Sequence, residues 1–155
     1  MNRLTRLGAA ACIALVSIVA YSQMPQQNPD DVAIKTRQGL FKLISNQFGG
    51  VAGLLRGGSV DPEVAARNAE RIKVLAGMIP ELFARDTRQF KDTPTKALDG
   101  IWNSQADFKT KADGLASAAD ELATAGKSGD KAAMTKAAQD VGKACGACHD
   151  SFRAK

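Results

Sequence analysis

Apolar positions recur along this chain every three or four residues, in four separate stretches. In the first, Phe41, Ile44, Phe48, Val51 and Leu55 follow at spacings of 3, 4, 3 and 4, which is one face of an α-helix. Asn28 supplies an N-cap, Pro29 suits the first helical position, Asp30 and Asp31 fill the first turn, and Gly57-Gly58 is the predicted stop. The second stretch starts at Asp61-Pro62-Glu63, carries Ala65, Ala69, Ile72, Ala76 and Ile79, and is expected to end at Gly77 and Pro80. From about Glu81 to Pro94 charges appear without a period, which predicts a long connection. The third lies within residues 95–125, with Phe108, Ala112, Leu115, Ala119 and Leu122 on one stripe. Its start is left open by the irregular Leu98-Asp99-Gly100-Ile101-Trp102, and Gly126-Lys127-Ser128-Gly129 closes it. The fourth begins near Asp130 and aligns Met134, Ala138, Val141, Cys145, Cys148 and Phe152, again alternating 4 and 3. β-Branched and aromatic residues are few and alanine is abundant, so the pattern predicts an all-α, antiparallel four-helix bundle.

Residues 1–22 stand apart from that bundle. Arg3 and Arg6 precede an uncharged run over residues 7–20, and Ala20-Tyr21-Ser22 offers small residues at −3 and −1 of a cut after Ser22. About 14 uncharged residues fall short of the roughly 20 that span a bilayer, so a cleaved secretory signal is expected rather than a membrane anchor. Cys12 lacks the flanking leucine usual at a lipidation site and reads as part of the signal. Residues 23–155 would form one domain with one core. Without Arg3 and Arg6 the domain carries 19 basic against 16 acidic residues, interspersed as on solvated helix faces. That pattern argues against nucleic acid as a partner. Export implies a periplasmic protein with no membrane anchor after processing.

Export also changes the reading of the cysteines, because only Cys145 and Cys148 remain in the domain. They belong to Cys145-Gly146-Ala147-Cys148-His149, a C-x-x-C-H sequence and the attachment signature of c-type haem. Residues three and four apart share a helix face. Both thiols can therefore reach the two vinyl groups on one porphyrin edge, and His149 can offer a ring nitrogen to the iron. A thiol redox site would want the cysteines at a helix start behind a strand, and structural zinc needs four ligands. The stripes are alanine-rich, with six Phe and one Trp in all, which leaves room for a large planar apolar group in the core. His149 is the chain's single histidine, so a bis-histidine haem within one chain is excluded. Sulfur ligands for the second face could come from Met24, Met78 or Met134. None of these stands in the middle of the first helix, where such a ligand is expected if that helix packs across the haem.

The sequence resembles the class II c-type cytochromes, specifically the cytochrome c′ family. The marks are Cys145-Gly-Ala-Cys148-His149-Asp150-Ser-Phe152-Arg153, Ile34-Lys-Thr-Arg37-Gln38 early in the first helix, and Thr95-Lys-Ala97-Leu98 with Ile101-Trp102 before the third. The resemblance implies a haem c held covalently by Cys145 and Cys148 with His149 as axial ligand. It places Arg37, Gln38 and Thr95 beside a propionate, Arg153 next to the axial imidazole, and Phe41 over the iron's open face; Trp102 and Phe152 are further haem-contact candidates. Low-spin relatives have methionine where this chain has Phe41. The expectation is a high-spin, five-coordinate haem protein that binds NO and CO, as a scavenger or carrier, and that exchanges electrons with a periplasmic partner. The alternative is a low-spin electron-transfer cytochrome. Peroxidase-type catalysis is disfavoured because no general acid, base or second histidine is at hand. An apolar distal wall without a hydrogen-bond donor is expected to favour NO and CO over polar dioxygen. A homodimer through the first two helices is also implied by the resemblance.

Overall fold

The computed structural model describes residues 27–155; the expected signal over residues 1–22, Cys12 and Met24 lie outside them. Four long helices dominate: α1 (Pro29–Gly49), α2 (Pro62–Gly77), α3 (Gln105–Ser128) and α4 (Lys131–Phe152). The starts of α1, α2 and α4 follow the predicted caps, while α3, whose start the sequence left open, begins after Ser104 without a side-chain cap. Asn28 accepts from the Asp30 amide at 2.9 Å, Asp61 from Glu63 at 2.8 Å, and Asp130 from Ala132 and Ala133 at 2.8 and 3.1 Å. Each side chain thereby satisfies an amide that the helix cannot pair itself. Gly129, at φ 72°, makes the left-handed turn between α3 and α4 that a side chain would resist.

α1 ends earlier than expected. Its last helical residue is Gly49, not the Gly57-Gly58 pair, and a short 3₁₀ turn follows over Leu54–Arg56. The turn shifts the register by one position, so Leu54 is buried at 1% exposure while Leu55 is 41% exposed. Val51 of the predicted stripe is fully buried, and Ile34, Leu40 and Ile44 complete the inner face of α1 with Arg37. Pro80 does not stop the chain from turning; it sits in a separate helical turn, Ile79–Leu82, where its missing amide costs nothing. Residues 100–103 form another single turn, Gly100–Asn103, broken from α3 at Ser104 by its non-helical φ −135°, ψ 54°.

The spine of the bundle is the α2–α3 pair, and it is made of small residues. Ala65, Ala66, Ala69 and Ala76 face Ala118, Ala119, Ala123, Ala125 and Gly126 across the most extensive helix contact in the molecule. A Cβ on Gly126 would stand 2.6 Å from the Ala66 amide nitrogen, so only glycine permits this backbone approach. α4 packs on α3, and α1 joins chiefly through α2. Asn68 on α2 also donates to the Gln47 carbonyl at 3.2 Å, near the end of α1. α1 and α4 scarcely touch each other. Between them lies a cavity.

The connection over residues 81–94 is not the featureless loop that its charges suggested. Phe83 and Thr87 are buried, at 5% and 4% exposure. Further on, residues 96–98 run beside the end of α4 as a two-residue antiparallel bridge, Ala97 opposite Arg153. Leu98 donates its amide to Phe152 at 3.0 Å, and Ala154 donates to Lys96 at 2.8 Å.

Candidate cofactor site

The cavity has a volume of about 660 Å³, inside the range expected for a site that buries a sizeable organic ligand. Its walls come from α1, α3, α4 and the connection between α2 and α3. α4 contributes Gly142, Cys145, Cys148, His149 and Phe152; α3 contributes Phe108, Lys111, Ala112 and Leu115. Facing α4, α1 contributes Ile34, Phe41, Ile44 and Phe48 from its buried or half-buried positions, and the exposed Gln38, Lys42 and Ser45. The last three qualify the expectation of a wall without hydrogen-bond donors: donors are present, on the solvent-facing side of the helix.

Cys145 and Cys148 are half-buried free thiols one helical turn apart, and both reach the cavity. Burial pushes the pKa of each upward. Thiols held protonated in this way are poor redox nucleophiles, which weighs against the disulfide-exchange alternative. Gly146 lies between them with open space where a Cβ would be. Burial, with the neighbouring Arg153 charge, lowers the pKa of His149, and a neutral imidazole is the form that ligates a metal. Two thiols and one imidazole on the wall of an apolar cavity fit a covalently held, iron-bearing macrocycle.

Nine of the ten site residues expected from the sequence line this one cavity: Arg37, Gln38, Phe41, Thr95, Cys145, Cys148, His149, Phe152 and Arg153. The exception is Trp102. Its indole stands behind Phe83, ring centroids 6.1 Å apart, and donates to the Phe83 carbonyl at 3.0 Å. Met78, 43% exposed at the end of α2, and Met134, 2% exposed in the α4 core, are both absent from the lining.

Arg37 is less free than a surface propionate partner would be. It is 4% exposed, and Nε donates to the Leu82 carbonyl at 2.8 Å, Nη2 to the Arg85 carbonyl at 2.6 Å and Nη1 to Thr87 Oγ1 at 2.7 Å. Those bonds use three of its five N–H groups and leave two for another acceptor. Its guanidinium also lies over the Phe83 ring at 4.5 Å. Gln38 donates to the Pro94 carbonyl at 2.9 Å, and Asp31 accepts from the Thr93 hydroxyl. The first half of α1 is thus tied to the 82–95 connection, which in turn reaches the end of α4 through residues 96–98.

Phe83 is the main lining residue that the sequence reading did not find. Its ring meets Phe41 at 6.2 Å and Phe108 at 5.0 Å, and Phe108 meets Phe152 at 5.2 Å. One signal was available: Leu82-Phe83 is an apolar pair in a stretch otherwise dominated by charge.

A four-helix bundle with an apolar cavity opening onto a C-x-x-C-H helix defines a c-type haem protein. A family model described as "Cytochrome C'" matches residues 32–153. Cytochrome c′ of Rubrivivax gelatinosus is 40% identical over 130 residues, covering 83% of this chain and 98% of the relative. Its crystal structure superimposes with a TM-score of 0.72 at 38% identity, covering 83% of this chain and all of that one. Cytochrome c-554 of Cereibacter sphaeroides is 32% identical over 148 residues, 94% of this chain and 95% of the relative. A nitric oxide complex of a variant cytochrome c prime from Alcaligenes xylosoxidans matches at 29% identity and TM-score 0.70, covering 81% of this chain and 97% of that one. The chain belongs to the cytochrome c′ family, whose members carry covalently attached c-type haem. Cys145 and Cys148 fit that attachment, on the C-terminal helix of the bundle.

Proposed function

We propose that this is a periplasmic haem protein with high-spin, five-coordinate iron that binds NO and CO, as a scavenger or carrier. The observation that carries the reading is the α1 wall: facing the motif helix, it presents Phe41 and contains no sulfur or imidazole. A bound haem would supply an iron able to take a diatomic ligand. His149 would hold that iron from α4, with Arg153 one turn later. Phe41, Ile34, Ile44 and Phe48 would keep water from the α1 side of the cavity, and Phe41 would crowd a ligand there. The nitric oxide complex of the Alcaligenes relative supports the choice of ligand.

Electron exchange with a periplasmic partner is the second reading. Lys42, Lys96, Lys111 and Arg153 all line the cavity, and none of them is in an ion pair with an acidic side chain of the described chain. They would suit an acidic partner surface. Exposed Leu43 on α1, Val74 on α2 and Met78 just beyond its end suit a homodimer through the first two helices. Among the described residues no helix is long and apolar enough to cross a membrane.

Ferric and ferrous absorption spectra of the purified holoprotein test the reading. High-spin spectra are expected for the wild type, and a shift toward low-spin, six-coordinate spectra for Phe41→Met. A low-spin wild type would sink the five-coordinate assignment and favour the electron carrier.

A further inference from the structure

We infer that Phe83, in the connection between α2 and α3, controls how fast a ligand reaches the open face, by limiting where the Phe41 ring can move. The inference rests on the gas-binding reading above. A ligand arriving between α1 and the cofactor must displace the Phe41 ring, which occupies that wall. Phe41 leans on Phe83 at 6.2 Å with ring planes 59° apart, inside the range of attractive aromatic pairs. How far Phe41 yields in that direction depends on whether Phe83 can give way.

Phe83 is held on several sides. Arg37 lies over its face at 4.5 Å, Phe108 meets it edge-on at 5.0 Å, and Trp102 stands at 6.1 Å. Arg37 is itself pinned to the Leu82 and Arg85 carbonyls and to Thr87 Oγ1, on either side of Phe83 in sequence. Close-packed interiors transmit such constraints rather than absorbing them. The Phe41 ring is therefore confined to the side away from Phe83. A residue that faces the ligand's path only through another ring is a positioning residue.

The test uses holoprotein, with CO as the probe, and compares Phe83→Leu, Phe83→Ala, Phe41→Ala, the Phe41→Ala/Phe83→Ala double variant and Ile72→Val. Ile72 is fully buried on α2, which lines none of the cavity, so it controls for general loosening of the bundle. An aromatic contact of this kind corresponds to up to about a tenfold change in rate. Phe83→Ala should raise the CO association rate by about that factor, with Phe83→Leu intermediate and Ile72→Val near wild type. In the Phe41→Ala background, Phe83→Ala should add nothing. The infrared C–O stretch should broaden or split in the Phe83 variants as crowding is relieved. If Phe41→Ala speeds CO and Phe83→Leu does not, the inference fails and the gas-binding reading stands. Equal acceleration by Ile72→Val, or additive effects in the double variant, would also overturn it. If Phe41→Ala leaves the rate and spectrum unmoved, the reading fails and the inference falls with it.

Discussion

Gly126→Ala and Gly114→Ala are the same chemical change within one helix, and their effects on stability should have opposite signs. Gly114 is exposed in the middle of α3, and a Cβ there meets nothing within 4 Å. Alanine should therefore contribute its helix preference alone, about 0.8–1 kcal/mol. Gly126 lies in the last turn of α3, where the preference is worth less. Its new Cβ would stand 2.6 Å from the Ala66 amide nitrogen and 2.9 Å from that residue's Cα and Cβ. These atoms belong to the opening turn of α2, so the contact is relieved only by separating the two helices. Overpacking of this kind costs about 1–3 kcal/mol, and a backbone contact belongs at the upper end. After the small helix gain, Gly126→Ala should lose about 2 kcal/mol. The two variants should then differ by about 3 kcal/mol, or roughly 10 °C in midpoint for a domain of this size. Thermal or urea denaturation of holoproteins, followed by circular dichroism, measures it. A Gly126→Ala midpoint at or above wild type would refute the close α2–α3 approach.

Arg37→Lys should destabilise the holoprotein by about 2–3 kcal/mol, because one ammonium cannot satisfy the Leu82 and Arg85 carbonyls and Thr87 together. Full rescue by lysine in urea denaturation would show that only the charge matters. Asp140 is held at about 2, below its ordinary 3.8, by hydrogen bonds from Lys136 and Lys143. Its pKa is depressed in the fold, so its contribution is present above about pH 4 and is lost as pH falls toward 2. Asp140→Asn should flatten the stability–pH curve in that window, and added salt should mimic it in part; an unchanged curve would remove the triad as a contributor. Replacing both Cys145 and Cys148 with alanine should abolish covalent haem, measured by acid–acetone extraction and denaturing electrophoresis.

Much of this architecture is written in local pattern. Asn28, Asp61 and Asp130 mark helix starts because a cap is a contact two or three residues long. The stripes of α2, α3 and α4 could be followed because each helix buries one continuous face. The end of α1 escaped for a physical reason. Gly49-Gly50 and Gly57-Gly58 offer equivalent breaks, and the apolar spacing continues past the first of them. Only the 3₁₀ turn, which buries Leu54 in place of Leu55, separates the two solutions. The motif on α4 announced its chemistry because its spacing is set by the ligand. Phe83 did not, because its neighbours Phe41, Arg37 and Phe108 are brought to it by tertiary contacts from α1 and α3.

The cavity lies between the first and last long helices, which scarcely touch, while α2 and α3 are closed on each other by small side chains. This arrangement sets an order of assembly. Antiparallel pairing of α3 and α4 spans a short turn, whereas the walls of the cavity meet only after the chain has returned on itself. Contacts between distant parts of a chain form late, since loop closure precedes any gain from them. A newly made chain should therefore pair α3 with α4 first and hold Ile34, Phe41, Ile44 and Phe48 exposed until the slot is filled. Such surfaces associate with one another at high concentration. Production of this protein should thus be limited by haem supply, with unfilled chains lost to aggregation and proteolysis rather than accumulating as soluble apoprotein.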